Sequence, residues 1–445
     1  MIRFTYLLGL GFLMAFLGPV PLVAQDDSPT TFDLEGAVAF ALENSNTVRN
    51  ARVQIADAEQ QIKERLSTGL PNINGSLDFT HFLEVPVLPL PEAFAMGDPN
   101  APDEIAFQLK NNFIAGINAN TMVFDGVFFV GLRAAREARK FYELELANQE
   151  RTVRNQVINS YLPLLLLDEN VGILDRNIEN LTKLRDETQA LFDEGFVEQL
   201  DVDRLDLSLD NLQVDRENLV RQRENALRAL KFTMNYPLDA ELAIEDDLEA
   251  LSTAAEVELL QGEVPYQQRP ELRVIDQSLV LQDLAIELEK AAYLPSLNAS
   301  VAGQYQFQGD SFSDGFWAPS VFLGLSAQIP IYDFGGRRAR VQRARLAKET
   351  ALNQRDDLVR GIELEVVNAR ADYAAATDRL AGRKRSRDLA QRIYETTQIK
   401  YREGVGSSLE VVQAEQELYT AQGNYLTALY ETLQAKEALK QALGQ

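Results

Sequence analysis

The sequence predicts an α+β membrane protein in which a multi-chain β-barrel is continued by a long α-helical coiled-coil barrel, the chain itself being an internal duplication. Three observations predict it. Short motifs recur in one order in both halves, four stretches alternate apolar and polar residues with period two, and two helical stretches of 66 and 67 residues carry no turn signal.

The first of the 445 residues read as a secretory signal peptide, 1–24: Arg3, an apolar run from Phe4 to Leu17, a Gly18-Pro19 break and Ala24 at the cleavage point. That run is short for a membrane-spanning helix, so strands must hold the mature chain in any membrane. The absence of cysteine excludes disulfides, thiolate metal sites, a Cys nucleophile and a lipid on cysteine. A net charge of -24 argues against nucleic acid, whose phosphates need a basic face. Solubility accounts for the acidity; an acidic mouth that favours cations is the functional alternative.

The duplication sets the boundaries. Leu70-Pro71-Asn72-Ile73-Asn74 returns as Leu294-Pro295-Ser296-Leu297-Asn298, Val123-Phe124-Asp125-Gly126 as Ile331-Tyr332-Asp333-Phe334-Gly335, and Phe192-Asp193-Glu194-Gly195 as Tyr401-Arg402-Glu403-Gly404. Pro71 to Pro295 is 224 residues, Asp125 to Asp333 is 208 and Gly195 to Gly404 is 209. The surplus in the first copy falls on the Pro-rich stretch from Val85 to Pro102, a loop by composition. The order is then a first helical segment, 25–70, a first β-hairpin, 71–125, a first long helical hairpin, 126–232, and an equatorial segment, 233–268. A helix, 269–294, a second β-hairpin, 295–333, and a second long helical hairpin, 334–445, come next.

After Pro295, Leu297, Ala299, Val301, Gly303, Tyr305 and Phe307 alternate with Asn298, Ser300, Ala302, Gln304, Gln306 and Gln308. Ile73, Leu77 and Phe79, then Phe113, Ala115, Ile117 and Val123, then Val321, Leu323, Leu325, Ala327 and Ile329 mark three more such strands. A half-buried soluble sheet alternates in the same way. The uncharged Asn, Ser, Gln and Thr of the polar face, strands near the ~10 residues that cross a bilayer, and a disulfide-free secreted chain favour an outer-membrane barrel. Four strands are too few to close one, so closure needs several chains.

From Val127 to Phe192, Pro163 is the one strong breaker, the place for any kink. At 1.5 Å per residue this helix, like that of Phe334 to Lys400, spans roughly 100 Å. Leu352, Val359, Val366, Tyr373 and Leu380 fall seven apart, a coiled-coil seam. The return helices, Gln199 to Phe232 and Ser408 to Leu443, reach about 50 Å; the second has its seam at Val412, Tyr419, Leu426 and Leu433. The helices of about 33–69 and 270–293 have the missing length and complete a two-layer wall. The acidic segment from Asn235-Tyr236-Pro237 to about Gln268 forms a collar at mid-height.

Catalytic chemistry finds no support, and an enzyme is not expected: His81 is the single histidine and reads as a surface residue. No cofactor or metal is implied. Arg337, Arg338, Arg340, Arg343 and Arg345 read as a solvated face, with tunnel lining or anionic headgroups as the alternative.

With these motifs in place the sequence resembles the TolC-like outer-membrane efflux family over nearly all of the mature chain. Two tips carry the resemblance: Phe192-Asp193-Glu194-Gly195-Phe196-Val197 running into Leu200-Asp201-Val202, and Tyr401-Arg402-Glu403-Gly404-Val405-Gly406 running into Leu409-Glu410-Val411. The resemblance implies a homotrimer with four strands per chain in one barrel, outer-membrane lipid around it, and helices crossing the periplasm of a Gram-negative bacterium. It implies docking on a periplasmic adaptor at Gly195, Phe196, Val197, Gly404, Val405 and Gly406, and through it a link to an inner-membrane pump. The duct would export small molecules or polypeptides passively. It also implies a periplasmic gate: Tyr401 matches a latch tyrosine, Asp201 its acidic partner and Glu410 the first acid of a luminal ring. Gly406 stands at the latch arginine and Gln413 at the second ring acid, so a weaker latch is expected, with a Tyr401 to Asp201 hydrogen bond at its centre. Packing of the tip residues on one another is the plainer account of the tips, and a solvated helix residue the plainer account of Glu410. A trimeric coiled-coil stalk or adhesin of the cell surface is the alternative for the whole chain.

Overall fold

The computed structural model describes residues 31–89, 104–106, 108–252, 266 and 269–444. The expected signal peptide and residues 90–102 of the Pro-rich loop lie outside them. Strand β1 (Thr31–Phe32) leads into α1 (Leu34–Asn44) and α2 (Asn46–Ser67). Where one helix was expected over 33–69, Ser45 breaks it: its backbone turns to ψ 130 and its hydroxyl accepts from Thr47 N, so it caps a new helix.

Strand β2 (Asn72–His81) is next, then β3 (Val87–Pro89) and β4 (Glu104–Ala106), which pair as a small antiparallel ribbon, β3 inside the Pro-rich stretch and β4 just after it. Strand β5 (Asn111–Asp125) runs directly into α3 (Gly126–Asp193), started by the Asp125 carboxylate accepting from Val127 N at 2.7 Å. α3 passes through Pro163 as one helix. The chain returns along α4 (Gln199–Met234) and crosses mid-height by β6 (Ala243–Ile244), parallel to β1, and α5 (Leu248–Ser252). α6 (Pro270–Ala291), β7 (Ser296–Gly309), β8 (Phe316–Gln328), α7 (Gly336–Arg402) and α8 (Ser408–Leu443) make the second copy.

The half-length helices lie in line along the long ones, and cross-helix ion pairs record the register. On α3, Arg139–Glu59 and Arg52–Glu150 hold α2 at the strand-proximal half, while Asp168–Arg223 and Arg185–Asp206 hold α4 at the tip-proximal half. On α7, Lys348–Asp283 and Arg355–Asp276 mark α6, and Arg379–Glu431 marks α8. Exposed pairs of this kind stabilise by at most about 1 kcal/mol each; apolar burial does the holding. The main core sits at mid-height, where Val157, Tyr161, Leu162, Leu164 and Leu165 of α3 meet α1, the collar and α8. This burial occupies the most apolar part of α3, the one described helix long and apolar enough to cross a membrane by length and composition. The Tyr161 hydroxyl donates to Asp246 at 2.9 Å and lies 3.1 Å from the Phe32 carbonyl, tying β1 and the collar to α3. In the α7 seam Val366 and Tyr373 are buried, but Leu352 is exposed and its neighbour Ala351 is buried instead, in the half of α7 that packs on α6. Arg337 departs from the expected solvated face: it is buried, paired with Asp333 and stacked over the Tyr293 ring at 4.9 Å.

The four long strands form one antiparallel sheet in the order β2-β5-β7-β8. The register stacks like with like. One face carries the rungs Ile73-Ala119-Val301-Leu323, Gly75-Ile117-Gly303-Val321 and Leu77-Ala115-Tyr305-Pro319; the other carries Asn74-Asn118-Ala302-Phe322 and Ser76-Gly116-Gln304-Ser320. Val123 leaves the apolar face, because the pairing of β5 with β7 shifts there in a β-bulge. Toward the β7–β8 turn Phe307 packs between Phe312 and Trp317. Every residue of β2 and all but one of β8 are exposed, Leu323 by 80 %. Among the described residues both edges and most of both faces of the sheet are thus left uncovered.

Candidate functional site at the two helical tips

Each tip is a helix reversal built on a glycine. At the first, Gly195 takes φ 80, Gly195 N donates to Phe192 O at 2.8 Å and Phe196 N to Leu191 O at 2.9 Å, closing the last turn of α3. Glu198 then opens α4 through a reciprocal cap in which its N–H donates to Asp201 Oδ2 at 3.2 Å. At the second, Gly404 takes φ 76, Val405 N and Gly406 N both donate to Lys400 O, and the Ser407 hydroxyl accepts from Glu410 N. The outcome is two apolar side chains held in solvent, Phe196 at 77 % and Val405 at 81 % exposure, while Val197 is half-buried. A Cβ on Gly406 would stand 3.2 Å from Tyr401 N, so this loop is drawn too tight to hold an arginine there without yielding.

Between the tips and mid-height the two hairpins meet through a ladder of polar contacts set in an apolar seam. Arg402 donates from both Nε and Nη2 to Glu187 of α3, at 2.9 and 3.4 Å. The Tyr401 hydroxyl lies 3.2 Å from Thr188 Oγ1. Thr188 spends its own proton on Leu184 O at 2.8 Å, so Tyr401 is the donor. Ser408 donates to Asp201 and accepts from Arg204, Ser208 of α4 donates to Glu415 Oε2 at 3.2 Å, and Asn177 donates to Gln422 at 3.1 Å. Around these pack Leu181, Leu184, Leu205, Tyr394, Val411 and Leu418.

The expected bond from Tyr401 to Asp201 is therefore corrected. Asp201 gives one oxygen to the cap of α4 and the other to Ser408, and Tyr401 turns instead to α3. Burial raises the Tyr401 hydroxyl above its ordinary value, against the Thr188 bond, and pushes Tyr394 up to about 12. Both stay protonated and neutral at physiological pH. Glu410 and Gln413 lie exposed on α8, flanking the buried stripe of Val411, Ala414 and Leu418, with Gln413 bordering a polar groove shared with Arg383, Ser386 and Thr420.

Thr188, Glu187, Arg402, Ser408 and Glu415 belong to the site and were not singled out from sequence. For Glu415 a signal exists: with Gln422 it lies three residues beyond the seam positions Val412 and Tyr419, where a coiled coil buries an apolar residue. Among the described residues no His, Cys, Asp and Glu group is arranged to hold a metal. His81 is exposed at the sheet end with Nδ1 2.8 Å from the Asn111 side-chain oxygen.

The family model described as outer membrane efflux protein matches residues 266–445. Over 420 residues the chain is 23% identical to the pyoverdine export outer membrane protein OpmQ of Pseudomonas aeruginosa, covering 93% of this chain and 85% of that one. To the toluene efflux pump outer membrane protein TtgF of Pseudomonas putida it is 26% identical over 226 residues, 49% of this chain and 45% of the other. Among solved structures, the outer-membrane channel OprN superposes with a TM-score of 0.71 at 21% identity, covering 94% of this chain and 90% of that one. The outer membrane protein VceC of Vibrio cholerae gives 0.69 at 15%, covering 92% and 96%. Duplicated hairpins, a four-stranded sheet of barrel register and glycine-turned tips thus agree with these likenesses: the chain has the fold of the solved outer-membrane channels, and its residues 266–445 match the outer membrane efflux protein family.

Proposed function

We propose that three copies assemble around one axis, each giving four strands to a single barrel, and that the assembly is a passive duct for small molecules or polypeptides delivered from the periplasm or an inner-membrane pump. One observation carries the reading: a bilayer-length antiparallel sheet has unpaired edges at β2 and β8, apolar rungs on one face, polar rungs on the other, and helices of about 100 Å at its end. A sheet so exposed is satisfied by pairing β8 of one copy with β2 of the next.

The family works in tripartite systems with an adaptor and a pump. We place the adaptor of this chain on Phe196, Val197 and Val405 with the turns at Gly195, Gly404 and Gly406, because apolar groups held in solvent on two rigid reversals suit a partner. Glu410 and Gln413 line the entrance, and the Arg402–Glu187, Tyr401–Thr188 and Ser408–Asp201 contacts hold it closed by fastening the second hairpin to the first. Of these two cargo classes, the relatives' descriptions, which name pyoverdine and toluene, support the small molecules.

The test is single-channel recording of purified chain in planar bilayers together with chemical crosslinking. A crosslinked trimer with discrete conductance steps is expected. A non-conducting monomer would refute the duct and leave a stalk as the better account.

A further inference from the structure

We propose that Glu415 is a proton-binding site that couples closure of the entrance to pH: protonated, it is sealed between the hairpins; ionised, it drives α8 away from α4. The proposal rests on the duct reading, in which the hairpins part to open.

The geometry is that of a carboxyl group with no place for its charge. Glu415 is 5 % exposed and lies in the seam where α8 crosses α4, among Leu205, Val411 and Leu418. Oε2 accepts one hydrogen bond, from Ser208, and Oε1 is buried with no partner. Stabilising a buried carboxylate takes two or three donors or a cation. From α4 the facing group is the Ser208 hydroxyl, while Arg204 is engaged toward the tip with Ser408 and Asp201. From α7 the facing titratable group is Tyr394, and from α8 itself Tyr419; both are neutral phenols that gain nothing from a nearby negative charge. The buried face of α3 opposite presents Leu174, Asn177, Leu181, Leu184 and Thr188, none charged. Burial raises Glu415 above the ordinary carboxylate range, with the Ser208 bond opposing.

A group that holds its proton more tightly in the closed state stabilises that state fully below the ordinary carboxylate range, and the stabilisation is lost as pH rises through the raised value. Opening exposes the seam to water and lets the carboxylate ionise without penalty. The neighbouring phenols do not titrate in this window: Tyr401 and Tyr394 stay protonated.

The experiment records conductance of the reconstituted full chain between pH 5 and 8.5 at constant KCl, for the natural protein, Glu415→Gln and Ser208→Ala. The natural channel should open as pH rises, Glu415→Gln should stay in the low-conductance state throughout, and Ser208→Ala should move the midpoint up by about one pH unit, the effect of losing one bond to the ionised form. Because the chain lacks cysteine, spin labels on Glu194→Cys and Glu403→Cys report tip separation independently, widening with pH only when Glu415 is present. A pH-independent natural channel, or Glu415→Gln with the natural pH profile, overturns the inference and leaves the duct standing. Absence of conductance at every pH, with tips that do not move, overturns both.

Discussion

Removing the Tyr401 hydroxyl isolates one bond of the entrance proposed to be closed by these contacts. The bond is neutral, 3.2 Å long and buried at both ends, and Thr188 retains its own donation to Leu184 O when Tyr401→Phe takes the other partner away. No donor is orphaned, so the cost is that of one net hydrogen bond, about 1 kcal/mol, or roughly a fivefold shift toward the open state. A bond from Tyr401 to the Asp201 carboxylate would cost about 1.5–3 kcal/mol, a shift of more than tenfold. A double-mutant cycle in planar bilayers separates the two. Tyr401→Phe with Thr188→Val should show coupling of about 1 kcal/mol, and Tyr401→Phe with Asp201→Asn coupling within about 0.5 kcal/mol of zero. Strong coupling to Asp201 and none to Thr188 would refute the register described for α3 and α7.

Two further substitutions test the frame. Arg402→Ala should raise open probability by less than about fivefold, since the Glu187 pair is 43 % and 39 % exposed, and the effect should vanish in 1 M KCl, where such pairs are screened. Arg269→Met should lower the guanidinium unfolding stability by about 3–5 kcal/mol, because the buried guanidinium holds the Gln441 and Ala442 carbonyls at the end of α8 and pairs with Glu365. A loss under about 1 kcal/mol would show that this junction is solvated.

Order and period are the features of this fold that the sequence makes legible. Alternation in Leu297 to Phe307 places the strands, and the repeated Gly195 and Gly404 place the reversals, because each depends on neighbours along the chain. The Tyr401 partner does not. Which residue of α3 faces it depends on how far two separately built hairpins slide past each other, and no local spacing encodes that offset. The parallel bridge of Thr31–Phe32 to Ala243–Ile244 is too short to carry a pattern. The break at Ser45 was readable from Asn44-Ser45-Asn46-Thr47, a run of capping residues inside a helical stretch, as was Glu415 from its place on an apolar seam.

The open edges of β2 and β8 bear on how the molecule is made. Backbone N–H and C=O groups along both strands cannot enter hydrocarbon unpaired, so a lone copy has no inserted state to reach. Under the proposed three-copy barrel, insertion and association become a single event whose rate climbs steeply with copy number. A chain altered only along one edge would join its neighbours on the other side and stall them, acting as a poison of assembly in a cell that still makes the natural protein.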